Sequence, residues 1–174
     1  MKYEIIDNFL DIKKFKSIVN KIDDSKFPWY LQQGKKINMT TNNECFMFTH
    51  SLIENYNFLY DNAKDLVDPI ILKLKNIKKI NLEMYRGKIN LFFKMNKNIK
   101  YGFHKDMENE SMNNYNTVIF YLNSNNGGTE FENGTFVKSV KNRLLIVSEN
   151  PIHQSVGQTD SLKRTLININ YRRI

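Results

Sequence analysis

Two hydrophobic periods divide the chain. In the first eighty residues apolar positions recur at helical spacing. Ile12, Phe15, Ile18, Val19 and Ile22 form one stripe behind Asp11 as cap, and Leu66, Ile70, Leu74 and Ile77 form a second. Tyr3 to Phe9 reads as a short strand ahead of the first helix, and Phe27-Pro28-Trp29-Tyr30 ends that helix and opens an extended stretch. Ser51 with Glu54 has the spacing of a capping box, which predicts a short helix after His50. Pro69, behind Asp68, either kinks the second helix or starts a fresh one.

From Ile80 the period becomes two. The predicted strands are Ile80–Tyr85, Lys88–Lys94, Tyr101–Asp106, Thr117–Asn123, Thr129–Phe131, Thr135–Val137, Arg143–Ser148, His153–Val156 and Arg164–Tyr171. The breaks carry turn chemistry: Asn125-Asn126-Gly127-Gly128 tolerates positive φ, and Asn133-Gly134 is a strong two-residue hairpin signal. This succession of short strands after a helical lead-in predicts a mainly β fold, a barrel or jelly roll packed against helices. There is no internal repeat or low-complexity linker. The expected organisation is one domain over 1–174, with 1–79 as mixed or helical support and 80–174 as the β core.

Composition narrows the class. At 174 residues, 41% apolar and 13% aromatic, the chain can build a core and is not a disordered segment. The net charge of +8 points at first to a polyanion partner. However, 21 Lys stand against 5 Arg, beside 25 Asn and 19 Ile, the usage expected where A/T-rich codons are favoured. Most of the charge therefore reads as compositional drift. A single cysteine, Cys45, cannot form an internal disulfide, and no apolar run approaches the roughly 18 residues of a membrane span. Without a signal-like N-terminus, the expected setting is cytoplasmic and reducing, with no membrane partner.

With only three histidines, their placement is informative. His104 and Asp106 lie two apart on a predicted strand, so both side chains share one face about 7 Å apart at the backbone. His153 opens another strand. Two imidazoles and a carboxylate leave half an octahedron open, the donor set associated with non-haem Fe(II) oxygenases. A His-x-Asp pair alone is more often two ordinary strand residues. Arg164 adds weight. It opens the last strand, where period two puts Arg164, Leu166, Asn168 and Asn170 on one face and Thr165, Ile167, Ile169 and Tyr171 on the other. The second face is apolar enough to pack on helices, while the first needs water or a polar cavity. In a lysine-dominated chain, an arginine there suggests a bidentate fork for a carboxylate, the plain alternative being a surface ion pair.

Together His104-x-Asp106, His153 and Arg164 resemble the 2-oxoglutarate/Fe(II)-dependent dioxygenase superfamily. The resemblance runs over roughly Ile80 to Arg172 and is nearest the prolyl-hydroxylase-like branch and the small oxygenases of bacterial viruses. Phe120-Tyr121-Leu122-Asn123, Gly127-Gly128-Thr129-Glu130-Phe131, Asn142-Arg143-Leu144-Leu145-Ile146 and the terminal strand support it. It implies a double-stranded β-helix in which His104, Asp106 and His153 bind Fe(II), 2-oxoglutarate completes the coordination, and Arg164 clamps the far carboxylate with help from the Tyr121 hydroxyl. Formal charges then cancel across the site. Asn90 and Asn168 are expected beside the cosubstrate, and Tyr101 and Arg86 at the substrate rim. Relatives often carry a tyrosine near Phe92, so this departure puts more of the clamp on Tyr121.

The implied activity is hydroxylation of a C–H bond with release of succinate and CO2, using O2 and admitting ascorbate as auxiliary reductant. A peptidyl residue such as proline ranks first as substrate, then a small amino acid or metabolite. Nucleic acid is disfavoured, because the second arginine of nucleic-acid demethylases, six residues past the clamp, is here Asn170. The rivals are a non-catalytic jelly-roll module with a vestigial site and a cupin-like metalloenzyme without 2-oxoglutarate. His50 reads as structural, Trp29 as a plug between helices and barrel, and Lys73, Lys75, Lys78 and Lys79 as a solvated helix face. Lys94, Lys97 and Lys100 precede the metal strand and are the candidates for contact with an acidic substrate.

Overall fold

The computed structural model describes residues 2–32, 46–107 and 114–174; Cys45 lies outside them. Two helices and eleven strands follow in the order β1 (Tyr3–Ile6), α1 (Ile12–Ile22), β2 (Tyr30–Gln32), β3 (Met47–Glu54), β4 (Asn57–Phe58), α2 (Ala63–Lys78) and β5 (Leu82–Phe93). They continue as β6 (Asn116–Tyr121), β7 (Gly128–Phe131), β8 (Phe136–Lys138), β9 (Arg143–Val147), β10 (His153–Val156) and β11 (Lys163–Arg173). All pairings are antiparallel. The larger sheet runs β1-β9-β6-β11-β5-β3-β2, with β4 on β3, and the smaller runs β10-β7-β8.

Helices cover one face of the large sheet and the small sheet covers the other. Val118, Phe120, Ile167, Ile169 and Tyr171 pack on Ile18, Leu66, Ile70 and Leu74 of the helices. Ile119, Tyr121, Leu145 and Leu166 point the opposite way, towards Phe131 and Val137 of the small sheet. The interior strand β6 is consequently buried at all six positions, and from Val118 to Tyr121 its sequence is a continuous run of large apolar and aromatic residues rather than alternating. On β11 the alternation is the one expected from period two: apolar side chains toward the helices, Arg164, Asn168 and Asn170 toward the interior between the sheets.

Several local expectations change. The stretch from Ser51 to Glu54 is strand, not helix: β3 pairs with β5, β2 and β4, and Leu52 and Ile53 are almost fully buried. A capping box is a local signal, and here the burial gained by a nonlocal ladder overrides it. The described residues among the first eighty therefore contribute four strands beside two helices. Pro69 neither breaks nor starts a helix, since α2 runs through it from Ala63 to Lys78. The two strands expected either side of Gly87 are one, β5. Both neighbouring ladders shift register near this glycine, and a Cβ there would press on Ile53 at 3.2 Å. Asp11 caps α1 as expected, accepting from the Lys14 amide at 2.9 Å.

Two tethers fix how the chain enters and leaves the barrel. Asn142, at φ 60°, accepts from the Leu10 amide (2.9 Å) and donates to the Leu10 carbonyl (2.8 Å), pinning the approach to α1 against β9. Gly127 and Gly128 lead into β7 where the sheets crowd. A Cβ on Gly127 would lie 2.6 Å from the Val156 carbonyl, and one on Gly128 2.7 Å from the Phe136 ring. Among the described residues no helix is long and apolar enough to cross a membrane.

Candidate metal centre

His104, Asp106 and His153 converge between the sheets, with one donor atom of each inside a 4.8 Å span. The stretch 101–106 is not the continuous strand expected. Gly102, at φ 83°, interrupts it, leaving isolated pairs at Lys100↔Val156 and His104↔His153. The second pair is what matters: reciprocal backbone bonds of 2.9 and 3.0 Å hold the two histidines side by side, with ring centroids 4.8 Å apart. Behind them, Asn150 cross-links the loops by accepting from the Met107 amide (3.3 Å) and donating to its carbonyl (2.7 Å).

The ring tautomers follow from the partners. Nδ1 of His104 lies 3.0 Å from the Gly102 carbonyl, and Nδ1 of His153 lies 2.9 Å from the Pro151 carbonyl. A carbonyl only accepts, so both rings carry the proton on Nδ1 and present a bare Nε2 to the shared space. Burial, then the neighbouring His153, lowers the His104 pKa and keeps that ring neutral.

Asp106 is the most heavily supported group in the site. Its carboxylate accepts from Asn170 Nδ2 (3.0 Å), Asn168 Nδ2 (3.2 Å) and Thr117 Oγ1 (3.3 Å). Arg86 donates to its backbone carbonyl at 3.1 Å. Burial alone would raise its pKa, but His153, Lys88, His104 and the Asn170 bond outweigh burial and hold it far below the ordinary carboxylate value. Among the described residues no lysine or arginine nitrogen lies within ion-pair distance of this carboxylate, and His153 Nε2 is 3.8 Å from it. Asn170 and Thr117 were not legible as a pair, because only the β11–β6 register sets them opposite each other.

Arg164 is 0% exposed, and none of its three guanidinium nitrogens has a hydrogen-bond partner among the described residues. Its cation instead lies between rings, 4.9 Å from the centroid of Phe92 and 5.8 Å from that of Tyr121. A buried guanidinium without an acceptor fits an anion that arrives from outside. The Tyr121 hydroxyl, expected to join this group, donates to Thr129 Oγ1 at 2.8 Å and is also near enough to interact with the Arg164 guanidinium. Burial raises its pKa.

The cavity in front of these groups is lined by Asn90, Phe92, Tyr101, Thr129 and Asn168 together with the triad, and the Asn90 and Asn168 carbonyl oxygens are buried without donors. Arg86 sits behind Asp106 instead of on this lining. Lys94, Lys97 and Lys100 are exposed and outside it, and Lys100 pairs with Glu130 at 3.0 Å. The cavity's own lysine is Lys88. Its place on the face of Asn90 and Phe92 follows from period two, but nothing in the sequence separates a lysine inside a barrel from one at its rim.

The remaining candidates fall into structural roles. His50 donates from Nδ1 to the Pro28 carbonyl (2.7 Å) and accepts at Nε2 from the Tyr60 hydroxyl (2.5 Å), far from the triad in sequence and contacts. Trp29 packs with Phe27 on the helix-side core. A larger groove of about 700 Å³ lies between α1 and α2, but its walls are exposed side chains such as Lys14, Lys21 and Lys73, without convergent chemistry.

No family model matches the sequence, and no curated protein does. Solved structures do match its fold. An oxidoreductase of the 2OG-Fe(II) oxygenase family from Burkholderia pseudomallei superposes with a TM-score of 0.71 at 9% identity, covering 98% of this chain and 84% of its own. The viral collagen prolyl hydroxylase of Paramecium Bursaria Chlorella virus-1, in complex with 2OG, gives 0.63 at 15% identity over 100% and 97%. A prolyl hydroxylase from Trichoplax adhaerens, in complex with a hypoxia inducible factor peptide fragment, gives 0.69 at 14% over 98% and 83%. The chain has the jelly-roll fold of the 2OG-Fe(II) oxygenases.

Proposed function

We propose that this chain is a single-domain Fe(II)- and 2-oxoglutarate-dependent dioxygenase that hydroxylates a substrate C–H bond. The observation that carries this is the conjunction of a two-imidazole, one-carboxylate cluster with a buried, partnerless arginine on the same interior face. A donor set of two histidines and one aspartate suits a non-haem Fe(II) ion with open positions. The guanidinium suits the far carboxylate of a diacid. When bound, Fe(II) and 2-oxoglutarate supply O2 activation, with succinate and CO2 as coproducts.

The chain's own contribution is positioning. The Gly102 and Pro151 carbonyls fix both imidazoles with Nε2 inward, and Asn168, Asn170 and Thr117 hold the Asp106 carboxylate ionised and oriented. Arg164, held between Phe92 and Tyr121, sets the depth at which a diacid stops, and the apolar walls formed by Leu166, Ile119 and Phe92 limit water. Asn90 and Asn168 face the cavity with free carbonyl oxygens and are assigned to contacts with cosubstrate or substrate, and Tyr101 to its wall.

For the substrate, a peptidyl residue, proline included, has the support of fold neighbours that are prolyl hydroxylases, one of them bound to a peptide fragment. A free amino acid or metabolite is the second choice. Nucleic acid is disfavoured, since Asn170 is committed to Asp106 and Thr117. Thermal shift with Mn(II), with and without 2-oxoglutarate, tests the proposal. Stabilisation that needs both is the expected result. A shift from metal alone would favour a cupin-like metalloprotein, and no shift a binding module.

A further inference from the structure

Lys88 lies in the cavity with the triad, and no acceptor among the described residues meets its ammonium group in a hydrogen bond or ion pair. Among the described residues Asp106 is the sole acid on the cavity wall, and its carboxylate is already spent on Asn168, Asn170 and Thr117. The lysine is half-buried, and the burial of its ammonium end, followed by the charge of Arg86 and opposed by that of Asp106, pushes its pKa down to about 8. The opposing charge that acts on it is that of Asp106, which is already engaged elsewhere, so keeping a cation there costs the fold stability, and function is one reason for such a cost.

The register locates it. On β5 and β11, Phe92 faces Arg164 and Lys88 faces Asn168. Four residues of strand separate the two levels, about 13 Å. Lys88 is thus removed along the strand from Arg164, where the far carboxylate of a diacid would sit, and lies on the triad's side of the interior, level with the Asn168 amide that supports Asp106. Charge leads to the same place: Fe(II), the diacid, Asp106 and Arg164 cancel, so Lys88 leaves one positive charge uncompensated.

We propose that Lys88 is a specificity-determining residue that pairs with a carboxylate of the substrate, making the substrate an acid, either a free amino or carboxylic acid or an acidic side chain within a peptide. Lys88 offers the one ammonium on the described cavity wall, and the neighbouring Arg86 donates to the Asp106 backbone carbonyl instead of lining the cavity, which matches one carboxylate better than a phosphate, since a phosphate draws several donors. The proposal rests on the oxygenase reading above and narrows it from any peptidyl residue to an anionic partner.

The test uses the full chain with Mn(II) and 2-oxoglutarate, and reads binding by thermal shift and calorimetry. The probes are the free amino acids against their amides, and short peptides containing Glu or Asp against the same peptides with Gln or Asn. At least one acid is expected to bind at least tenfold more tightly than its amide. That preference should vanish in Lys88→Met and return in Lys88→Arg. Preference among the free acids or among the peptides identifies the source of the carboxylate. Equal binding of every acid and amide by wild type, which needs no variant to fold, would overturn the proposal. So would a preference that survives Lys88→Met, or loss of 2-oxoglutarate binding in that variant at unchanged Mn(II) affinity, which would place the lysine on the cosubstrate. Failure of wild type to be stabilised by Mn(II) with 2-oxoglutarate is a separate result and defeats the oxygenase reading itself.

Discussion

Replacing Arg164 by methionine should make the ligand-free protein more stable while disabling it. The side chain is wholly buried, and among the described residues its three nitrogens find no acceptor at hydrogen-bond geometry, the Tyr121 hydroxyl being its polar neighbour. Leaving a buried donor unsatisfied costs about 1–3 kcal/mol per group, and more for a charged one. The rings of Phe92 and Tyr121, at 4.9 and 5.8 Å, return about 2 kcal/mol each at most. Taking roughly 2 kcal/mol for each of three nitrogens against that return leaves a net cost of about 2–3 kcal/mol. Methionine preserves much of the volume and none of the charge, so the melting temperature should rise by about 4–12 °C at 2–4 °C per kcal/mol for a chain of this size. Binding of 2-oxoglutarate should weaken by about two orders of magnitude, the loss of charge-assisted bonds worth roughly 3 kcal/mol. Urea unfolding of the metal-free protein and calorimetry with Mn(II) present measure the two effects. A variant that is less stable than wild type when empty would refute the reasoning, because it would mean that Arg164 is a satisfied structural residue.

Further predictions test the groups around it. Asn170→Ala should weaken Mn(II) binding by about 10–100-fold, as measured by titration, since it removes the nearest support of Asp106. The pKa of Asp106 is depressed in the fold, so it contributes stability at neutral pH that is lost as pH falls through its folded value. Asn170→Ala should therefore shift acid unfolding of the metal-free protein to higher pH. Lys88 is also depressed, from 10.5 to about 8, but as a cation it works the other way. Its burial penalises the fold below pH 8 and is relieved as pH rises towards 10.5. Metal-free Lys88→Met should exceed wild type by up to about 3 kcal/mol at pH 7, the gap closing by pH 10.5 in urea melts. Asn142→Ala should cost about 2–3 kcal/mol in the same assay, because two bonds to Leu10 are lost and alanine is strained at φ 60°.

The parts of this molecule legible in its sequence are those set by short-range periodicity. Alternation along β11 separates Arg164, Asn168 and Asn170 from Ile167, Ile169 and Tyr171, and the sheet honours that division. The triad's residues were readable from their types and spacing, but what brings them together is the isolated His104–His153 bridge, not the strand expected over 101–106. What was hidden depends on pairing between distant segments. Ser51 and Glu54 satisfy a local helix signal, yet β5 takes them into a ladder. Gly87 looks like the end of a strand, yet β5 runs through it while the ladder to β3 slips at Ile53 and the ladder to β11 slips just before it, between Met84 and Arg86. Thr117 has no signature as a support for Asp106 until register brings it beside Asn170. Lys88 is the sharpest case, since lysine composition argued for dismissing basic residues as surface drift, and the sheet carries this one inside.

The central claim is that His104, Asp106 and His153 hold an Fe(II) ion that turns over 2-oxoglutarate. Succinate release by the purified chain, with Fe(II), O2 and 2-oxoglutarate, measures this most directly in wild type and Asp106→Ala compared side by side. Wild type should form succinate only when Fe(II) is present, and Asp106→Ala should form none above background. Succinate formation by Asp106→Ala at the wild-type rate would contradict the account.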